Sequence, residues 1–105
     1  MFRHVVMFRW KDDAPADAAA TVSARLAVLP SLIPEIRAYR FGPDAGLADG
    51  NFDYVVVADF DDAEGWRRYV VDEHHQLVVT ETIRPLISER VAVQYELADP
   101  ATGVR

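Results

Sequence analysis

The feature that most constrains the fold is the order of hydrophobic periods along the chain: two, helical, two, two, helical, two. The first stretch, Phe2 to Trp10, alternates over nine residues, and its second face is also partly apolar. Alternation predicts a β-strand, and apolar residues on both faces favour a central one. The same alternation predicts three further strands, at Glu35 to Gly42, Phe52 to Phe60 and Glu89 to Leu97.

A first helix is predicted between the first two strands. One apolar face recurs at spacings of four, four and three residues: Ala18, Val22, Leu26 and Leu29. Pro15 fits the first turn of this helix, with Asp13 or Ala14 near its cap. Pro30 is expected to end it, because proline has no backbone N–H for an intrahelical hydrogen bond.

A second helix is predicted after the third strand. Asp61-Asp62-Ala63-Glu64 has the spacing of a capping box, with Asp in the role of Ser or Thr. Helical spacing then relates three large residues, Trp66, Tyr69 and Val70. The helical pattern continues from His74 to Ile83, and Arg84-Pro85 is expected to stop it.

This order of elements is the split βαβ arrangement, which predicts a ferredoxin-like α+β fold, βαββαβ, with one four-stranded antiparallel sheet. The length of 105 residues fits a single domain, with Ala98 to Arg105 as a flexible tail. Two helices cover only one face of such a sheet, yet apolar residues lie on both faces of the strands. We therefore predict a homodimer in which two sheets pack face to face, a dimeric α/β barrel.

Composition excludes several classes of partner. Asp and Glu number 17 against 11 Lys and Arg, giving a net charge of −6. We expect no nucleic-acid partner and no anionic membrane surface, because both require a basic face. The sequence has no apolar run near 18 residues and no signal-peptide pattern at its start. The absence of cysteine excludes disulfides and thiolate sites and is consistent with a cytoplasmic protein.

The chain resembles the stress-responsive α/β-barrel domain family, abbreviated Dabb, over roughly residues 2–97. The resemblance is carried by three stretches in the right order and spacing. They are Arg3-His4-Val5-Val6-Met7-Phe8-Arg9-Trp10-Lys11, then Leu29-Pro30-Ser31-Leu32-Ile33-Pro34-Glu35-Ile36 with Gly42, and finally Phe60-Asp61-Asp62 to Tyr69 with His75.

The resemblance implies a dimeric α+β barrel built from two ferredoxin-like protomers. Most members of the family have no assigned reaction, and one plant member is a cofactor-free polyketide cyclase. That cyclase uses a His and a Tyr of the second-helix segment as acid/base and orienting groups. Matching the segment places these roles on His75 and Tyr69, with His4 at the early strand position.

The second-helix segment departs from the family pattern. Where the family has His-Pro-x-His, this chain has Asp72-Glu73-His74-His75. On an unbroken helix, Tyr69 and His75 would lie about 120° apart, since six residues turn at 100° each. The two side chains therefore converge only if the helix breaks near Asp72-Glu73, a break that proline would enforce.

His75 is the best candidate for a general acid/base, because imidazole titrates near neutral pH. Asp72, three residues earlier, is a candidate to orient its ring or to raise its pKa. Tyr69 is a candidate donor to a substrate carbonyl, and His4 a candidate donor to a ligand oxygen. Each position also fits a structural role: His75 as a surface or dimer contact, His4 as a satisfied core histidine, and Tyr69 as core. Tyr54 is a weaker candidate for the same cavity.

The sequence predicts no cofactor and no resident metal. It contains no glycine-rich phosphate loop or nucleophile elbow, and adjacent His74 and His75 side chains diverge. Three functions remain open. The first is a cofactor-independent cyclase- or isomerase-type enzyme acting on a small apolar carbonyl compound. The second is a non-catalytic, stress-associated dimer that holds a hydrophobic ligand. The third is a cofactor-free monooxygenase of related fold.

Overall fold

A computed structural model describes residues 1–101 of the chain. It contains four strands, β1 (Phe2–Trp10), β2 (Ala38–Pro43), β3 (Tyr54–Phe60) and β4 (Ile87–Glu96). It also contains four α-helices, α1 (Ala18–Leu26), α2 (Leu29–Leu32), α3 (Ala63–Val71) and α4 (Glu73–Val78). A π-helical turn (Val79–Ile83) and a 3-10 turn (Arg84–Leu86) join α4 to β4.

The four strands form one antiparallel sheet in the order β2-β3-β1-β4, which confirms the predicted ferredoxin-like α+β fold. β1 pairs with both β3 and β4 and is central, as its two-sided apolar pattern predicts. His4, Val6 and Phe8 of β1 are buried beneath the helices. The predicted face of α1 packs on the same side, with Ala18, Val22 and Leu26 buried.

The predicted limits of the first helix are wrong at both ends. Helix α1 begins at Ala18, whose N–H donates to the carbonyl of Pro15 at 3.0 Å. Pro15 therefore lies in the turn before the helix. The predicted cap at Asp13 or Ala14 is wrong for the same reason. Pro30 does not end α1; it lies in the first turn of α2. Proline fits this position because the first N–H groups of a helix have no intrahelical acceptor.

The cap of the second predicted helix lies one residue later than predicted. Asp62, and not Asp61, caps α3, and its carboxylate accepts from the backbone N–H of Gly65 at 2.9 Å. Asp61 instead forms a bidentate ion pair with Arg37, with distances of 2.9 and 3.0 Å. The capping-box spacing identified the right turn, but adjacent aspartates left its register undetermined.

The limits of three strands and of the second helical region also differ from the predicted limits by a few residues. β2 and β3 begin later than predicted and β4 begins at Ile87, because sheet pairing rather than local alternation sets where a strand starts. The region from His74 to Ile83 is helical but changes from α to π at Val79. Residues 98–101 form neither helix nor strand, and the rest of the predicted tail, 102–105, lies outside the described residues.

Candidate functional site

The site is organised by a break between α3 and α4. Asp72 has φ −62° and ψ 135°, an extended conformation that ends α3 and starts α4 at the next residue. Its carboxylate caps α4 by accepting from the backbone N–H groups of His74 at 2.8 Å and His75 at 3.4 Å. The break therefore occurs without proline, because an aspartate at the N-cap satisfies the free N–H groups of the new helix.

This break brings Tyr69 and His75 together. Their ring centroids lie 4.1 Å apart, whereas an unbroken helix would place them about 120° apart. The Nδ1 of His75 lies 3.3 Å from the carbonyl oxygen of Val70. Since a carbonyl only accepts, this contact assigns the proton to Nδ1 and leaves Nε2 with its lone pair. No other described residue hydrogen-bonds to that Nε2.

The two rings line a cavity of about 390 Å³ between the sheet and the helices. His4 reaches it from β1, and its ring centroid lies 6.1 Å from those of both Tyr69 and Trp66. Aliphatic side chains from β1, β3, α1 and the π-helical turn contribute to the remaining wall, together with Phe8, Tyr39 and Trp66. The structure thus brings all three predicted site residues, His75, Tyr69 and His4, to one cavity.

His4 is buried and neutral near pH 7. The side-chain amide of Gln94, the residue opposite it on β4, donates to its Nδ1 at 2.9 Å. The proton of His4 therefore resides on Nε2, which is a donor. Burial, followed by the charges of Arg90 and His75, lowers the pKa of His4 to about 4. The hydrogen bond from Gln94 gives His4 the partner that a buried core histidine needs. The Nε2–H group of His4 is still available to donate to a ligand in the cavity.

Burial also lowers the pKa of His75, and the Val70 carbonyl and Asp72 oppose this effect. The imidazole is consequently uncharged over a wider range below neutral pH than a free histidine. Unlike His4, His75 presents an acceptor nitrogen. The cavity thus contains one neutral imidazole prepared to accept a proton and another prepared to donate a hydrogen bond.

Tyr69 is held by a second tyrosine that the sequence interpretation did not select. The hydroxyls of Tyr39 and Tyr69 lie 2.8 Å apart. Burial raises the pKa of Tyr69 to about 12, while the Tyr39 hydrogen bond and the charge of Arg90 oppose that rise. With Tyr39 as donor, the hydroxyl proton of Tyr69 is free to point towards a ligand in the cavity.

Sequence interpretation also missed Arg84, Arg90 and Gln94. The alternation of β4 separates Arg90 and Gln94 from Val91 and Val93, but it does not say which set faces the helices. The register does, because Gln94 lies opposite His4 and Arg90 opposite Phe8. Arg84 lies in the 3-10 turn, where no periodicity marks it.

Other candidates lie elsewhere. Tyr54 is not part of the cavity wall; its hydroxyl pairs with the hydroxyl of Ser23 at 2.7 Å. Within residues 1–101, no three His, Asp or Glu side chains cluster closely enough to hold a metal ion. No helix in that range is both long and apolar enough to cross a membrane.

A one-sided helix layer over a four-stranded antiparallel sheet, with an apolar cavity beneath a broken second helix, defines a ferredoxin-like domain of the α/β-barrel class. The family model described as the stress responsive A/B barrel domain, Dabb, matches residues 2–97. The chain therefore belongs to the Dabb family, which confirms the resemblance seen in its sequence. No curated protein matches this chain.

Solved structures share the fold over nearly the whole chain. A dimeric ferredoxin-like protein of unknown function from Thermobifida fusca is 43% identical, with a TM-score of 0.84, covering 91% of this chain and 90% of that one. A dimeric protein of unknown function from Bacteroides fragilis is 21% identical, with a TM-score of 0.80, and the shared region covers 91% and 95%. The hydroxynitrile lyase of Passiflora edulis is 20% identical, with a TM-score of 0.80 and 96% coverage of both chains.

Proposed function

We propose that this protein is a cofactor-independent enzyme that performs acid/base chemistry on a small, mostly apolar, carbonyl-bearing molecule. The observation that carries the proposal is the 4.1 Å approach of the Tyr69 and His75 rings inside a cavity whose wall is mostly apolar. That approach requires the helix break at Asp72. A cavity of about 390 Å³ lies within the size range of small-molecule sites.

His75 is the proposed general base. Its Nε2 removes a proton from the carbon next to the carbonyl, and the electron pair moves onto the carbonyl oxygen. The Tyr69 hydroxyl and the His4 Nε2–H donate hydrogen bonds to that oxygen as its negative charge develops. The imidazolium of His75 then returns the proton to the same carbon or, in a conjugated enolate, to the far carbon of the conjugated system, which completes an isomerisation. In a ring closure, the enolate carbon instead bonds to a second carbonyl carbon of the substrate, and the imidazolium protonates the alkoxide oxygen that forms.

The electrostatics support this division of roles. The lowered pKa of His75 keeps its Nε2 unprotonated at neutral pH. The lowered pKa of His4 and the raised pKa of Tyr69 keep both groups as neutral donors. In addition, a protein of the same fold is a hydroxynitrile lyase by name, so the fold accommodates an enzyme.

Exchange of a carbon-bound proton with solvent tests the proposal without knowledge of the natural substrate. The purified protein is incubated in D₂O with 1-phenyl-1,3-butanedione and a panel of aryl ketones, and deuterium incorporation is followed by NMR. We expect exchange to be catalysed above the buffer rate and to fall about 100-fold or more in His75→Ala. His74→Ala is the matched control, because His74 is adjacent in sequence but does not line the cavity.

Two results would contradict the proposal. One is a rate loss in His75→Ala of well under tenfold, and the other is an equal loss in His74→Ala. Exchange that never exceeds the buffer rate, combined with tight binding of apolar ligands, would favour the non-catalytic ligand-binding protein. Oxygen consumption with an anthrone or quinol would favour the monooxygenase. Absence of cofactor and cytoplasmic location remain predictions from the sequence.

We also propose that the protein is a homodimer. The sheet face opposite the helices carries a patch of aliphatic side chains, Val5, Met7, Val55, Val57, Val91 and Val93. Val93 and Met7 are 54% and 37% exposed in the protomer. The relatives from Thermobifida fusca and Bacteroides fragilis are dimeric. A second copy of the chain, packed sheet to sheet, is therefore the proposed cover of this face.

A further inference from the structure

The cavity wall carries positive charge that the proposed acid/base chemistry does not use. Arg84, in the 3-10 turn, and Arg90, on β4, both line the cavity, and both are exposed. In the part of the chain that the structure describes, no Asp or Glu lines this cavity. Its formal charge at neutral pH is therefore positive, although the chain as a whole carries −6.

Neither arginine is neutralised by a carboxylate among the described residues. Five other arginines among the described residues have carboxylate partners, for example Arg3 with Asp59 at 2.7 Å and Arg37 with Asp61 at 2.9 Å, whereas Arg40 and Arg68 have none. Among residues 1–101, no carboxylate pairs with Arg84 or Arg90. Arg84 and Arg90 are the unpaired arginines that line this cavity, where a ligand with an anionic group would provide the carboxylate that the described residues do not.

The charge of Arg90 acts on the catalytic groups themselves. After burial, it is the next contributor that lowers the pKa of His4, and it also lowers that of His75. The positive charge of Arg90 also favours binding of an anion in the part of the cavity next to it. Guanidinium groups suit carboxylates in particular, because their parallel N–H groups match the two oxygens.

We propose that Arg84 and Arg90 form an anion subsite at the mouth of this cavity, and that the natural ligand is a carboxylate with an apolar body. The inference rests on the proposed function, since it assigns the substrate class of the same site. The apolar body occupies the aliphatic and aromatic part of the cavity, with its carbonyl near His75 and its carboxylate at the arginines. An apolar carbonyl compound without an anion would leave both guanidinium groups uncompensated.

Binding of a matched pair of probes tests the proposal. Calorimetric titration of the full-length protein compares 1-naphthoate with 1-naphthamide, which has nearly the same shape and no charge. We expect naphthoate to bind about tenfold or more tightly than naphthamide, because a charge-assisted hydrogen bond contributes about 1.5–3 kcal/mol and 1.4 kcal/mol is a factor of ten. Raising the salt concentration is expected to weaken naphthoate binding and to leave naphthamide binding unchanged.

Variants locate the preference on the two arginines. Arg84→Gln and Arg90→Gln are each expected to reduce the naphthoate preference by about tenfold, and Arg90→Lys to restore part of it. Arg68→Gln is the matched control, since Arg68 is exposed on α3 and does not line this cavity. Both arginine positions are exposed, so folding of the variants is expected, and circular dichroism checks it.

The proposal is overturned if naphthoate and naphthamide bind equally, if neither binds at millimolar concentration, or if both arginine variants keep the preference of the wild type. It is also overturned if the arginine variants weaken both probes equally, because that result indicates lost packing rather than lost charge. Proton exchange in His75→Ala is measured separately. Failure of the acid/base function and failure of the anion subsite are therefore distinguishable.

Discussion

Replacing Glu73 with proline is expected to leave this protein about as stable as the wild type and more stable than the Glu73→Ala variant, because the backbone already has the conformation that proline requires. Glu73 is the first helical residue of α4, where helical φ is close to the value that the proline ring imposes. Its predecessor, Asp72, has φ −62° and ψ 135°, and residues before proline favour this extended region. Among the described residues, no acceptor pairs with the backbone N–H of Glu73, so no hydrogen bond is lost.

The magnitude follows from two opposing effects. Restricting the unfolded chain with a compatible proline contributes about 0.4–1 kcal/mol. Removing the Glu73 carboxylate from the first turn of α4 costs about 0.3–1 kcal/mol, because an acidic group there interacts with the helix dipole. Glu73→Ala loses the same carboxylate without the ring. We therefore expect Glu73→Pro to exceed Glu73→Ala in Tm by about 2–8 °C.

Thermal unfolding followed by circular dichroism measures this difference. Because the break is reinforced rather than created, deuterium exchange catalysed by Glu73→Pro is expected to match the wild type. A Tm for Glu73→Pro at or below that of Glu73→Ala would show that Asp72 and Glu73 do not hold the described conformation in solution. The convergence of Tyr69 and His75 would then lose its structural basis.

Three further predictions concern the cap, a buried imidazole and the open sheet face. Asp72→Ala is expected to lower the free energy of unfolding by about 1 kcal/mol and to reduce the rate of catalysed deuterium exchange. Asp72→Asn keeps a capping oxygen and is expected to retain the stability and the exchange rate. Equal behaviour of the two variants would contradict the capping role. The lowered pKa of His4 means that the unfolded chain binds the extra proton first, so stability falls as pH drops from about 6.5 towards 4. The loss at pH 4.5 is about 2 kcal/mol relative to pH 7, measured by urea unfolding, and an unchanged pH slope in His4→Gln would refute it. Val93→Asp is expected to convert the dimer to a folded monomer in sedimentation velocity. Leu47→Asp, at a loop residue that is 90% exposed, is the control and is expected to keep the dimer. A monomeric wild type or a dimeric Val93→Asp variant would contradict the proposal that a second copy covers the open sheet face.

The proposed catalytic arrangement depends on one backbone conformation that local sequence patterns describe poorly. From the sequence, Tyr69 and His75 converge only if the helix breaks near Asp72-Glu73, and Glu73 does not enforce that break as proline would. In the structure, the side chain of Asp72 replaces the effect of proline by accepting from two N–H groups. Capping residues and proline are alternative means of starting a helix, and an acidic residue followed by a glutamate carries the former signal.

The misplaced helix ends have the same physical origin. Pro15, Pro30 and Asp61 each fit a helix terminus by local preference, but each lies a few residues from the limit that the structure shows. Local preferences amount to about 1 kcal/mol or less per position, whereas packing of α1 and α3 on the sheet fixes several apolar residues at once. Tertiary packing therefore decides the register of the ends, while the period decides that a helix exists.

Local patterns in the amino-acid sequence are enough to predict the order of strands and helices, the central position of β1 and the candidates His4, Tyr69 and His75. These follow from periodicities of two and 3.6 and from family resemblance, which depend only on neighbouring residues and motif spacing. Tertiary structure decided which residues share the cavity. Tyr39 comes from β2, Arg84 from the 3-10 turn, and Arg90 and Gln94 from β4. Only sheet register and helix docking bring the first three to the cavity and Gln94 to His4. The physical reason is that a site is set by contacts between distant segments, whose geometry no local pattern encodes.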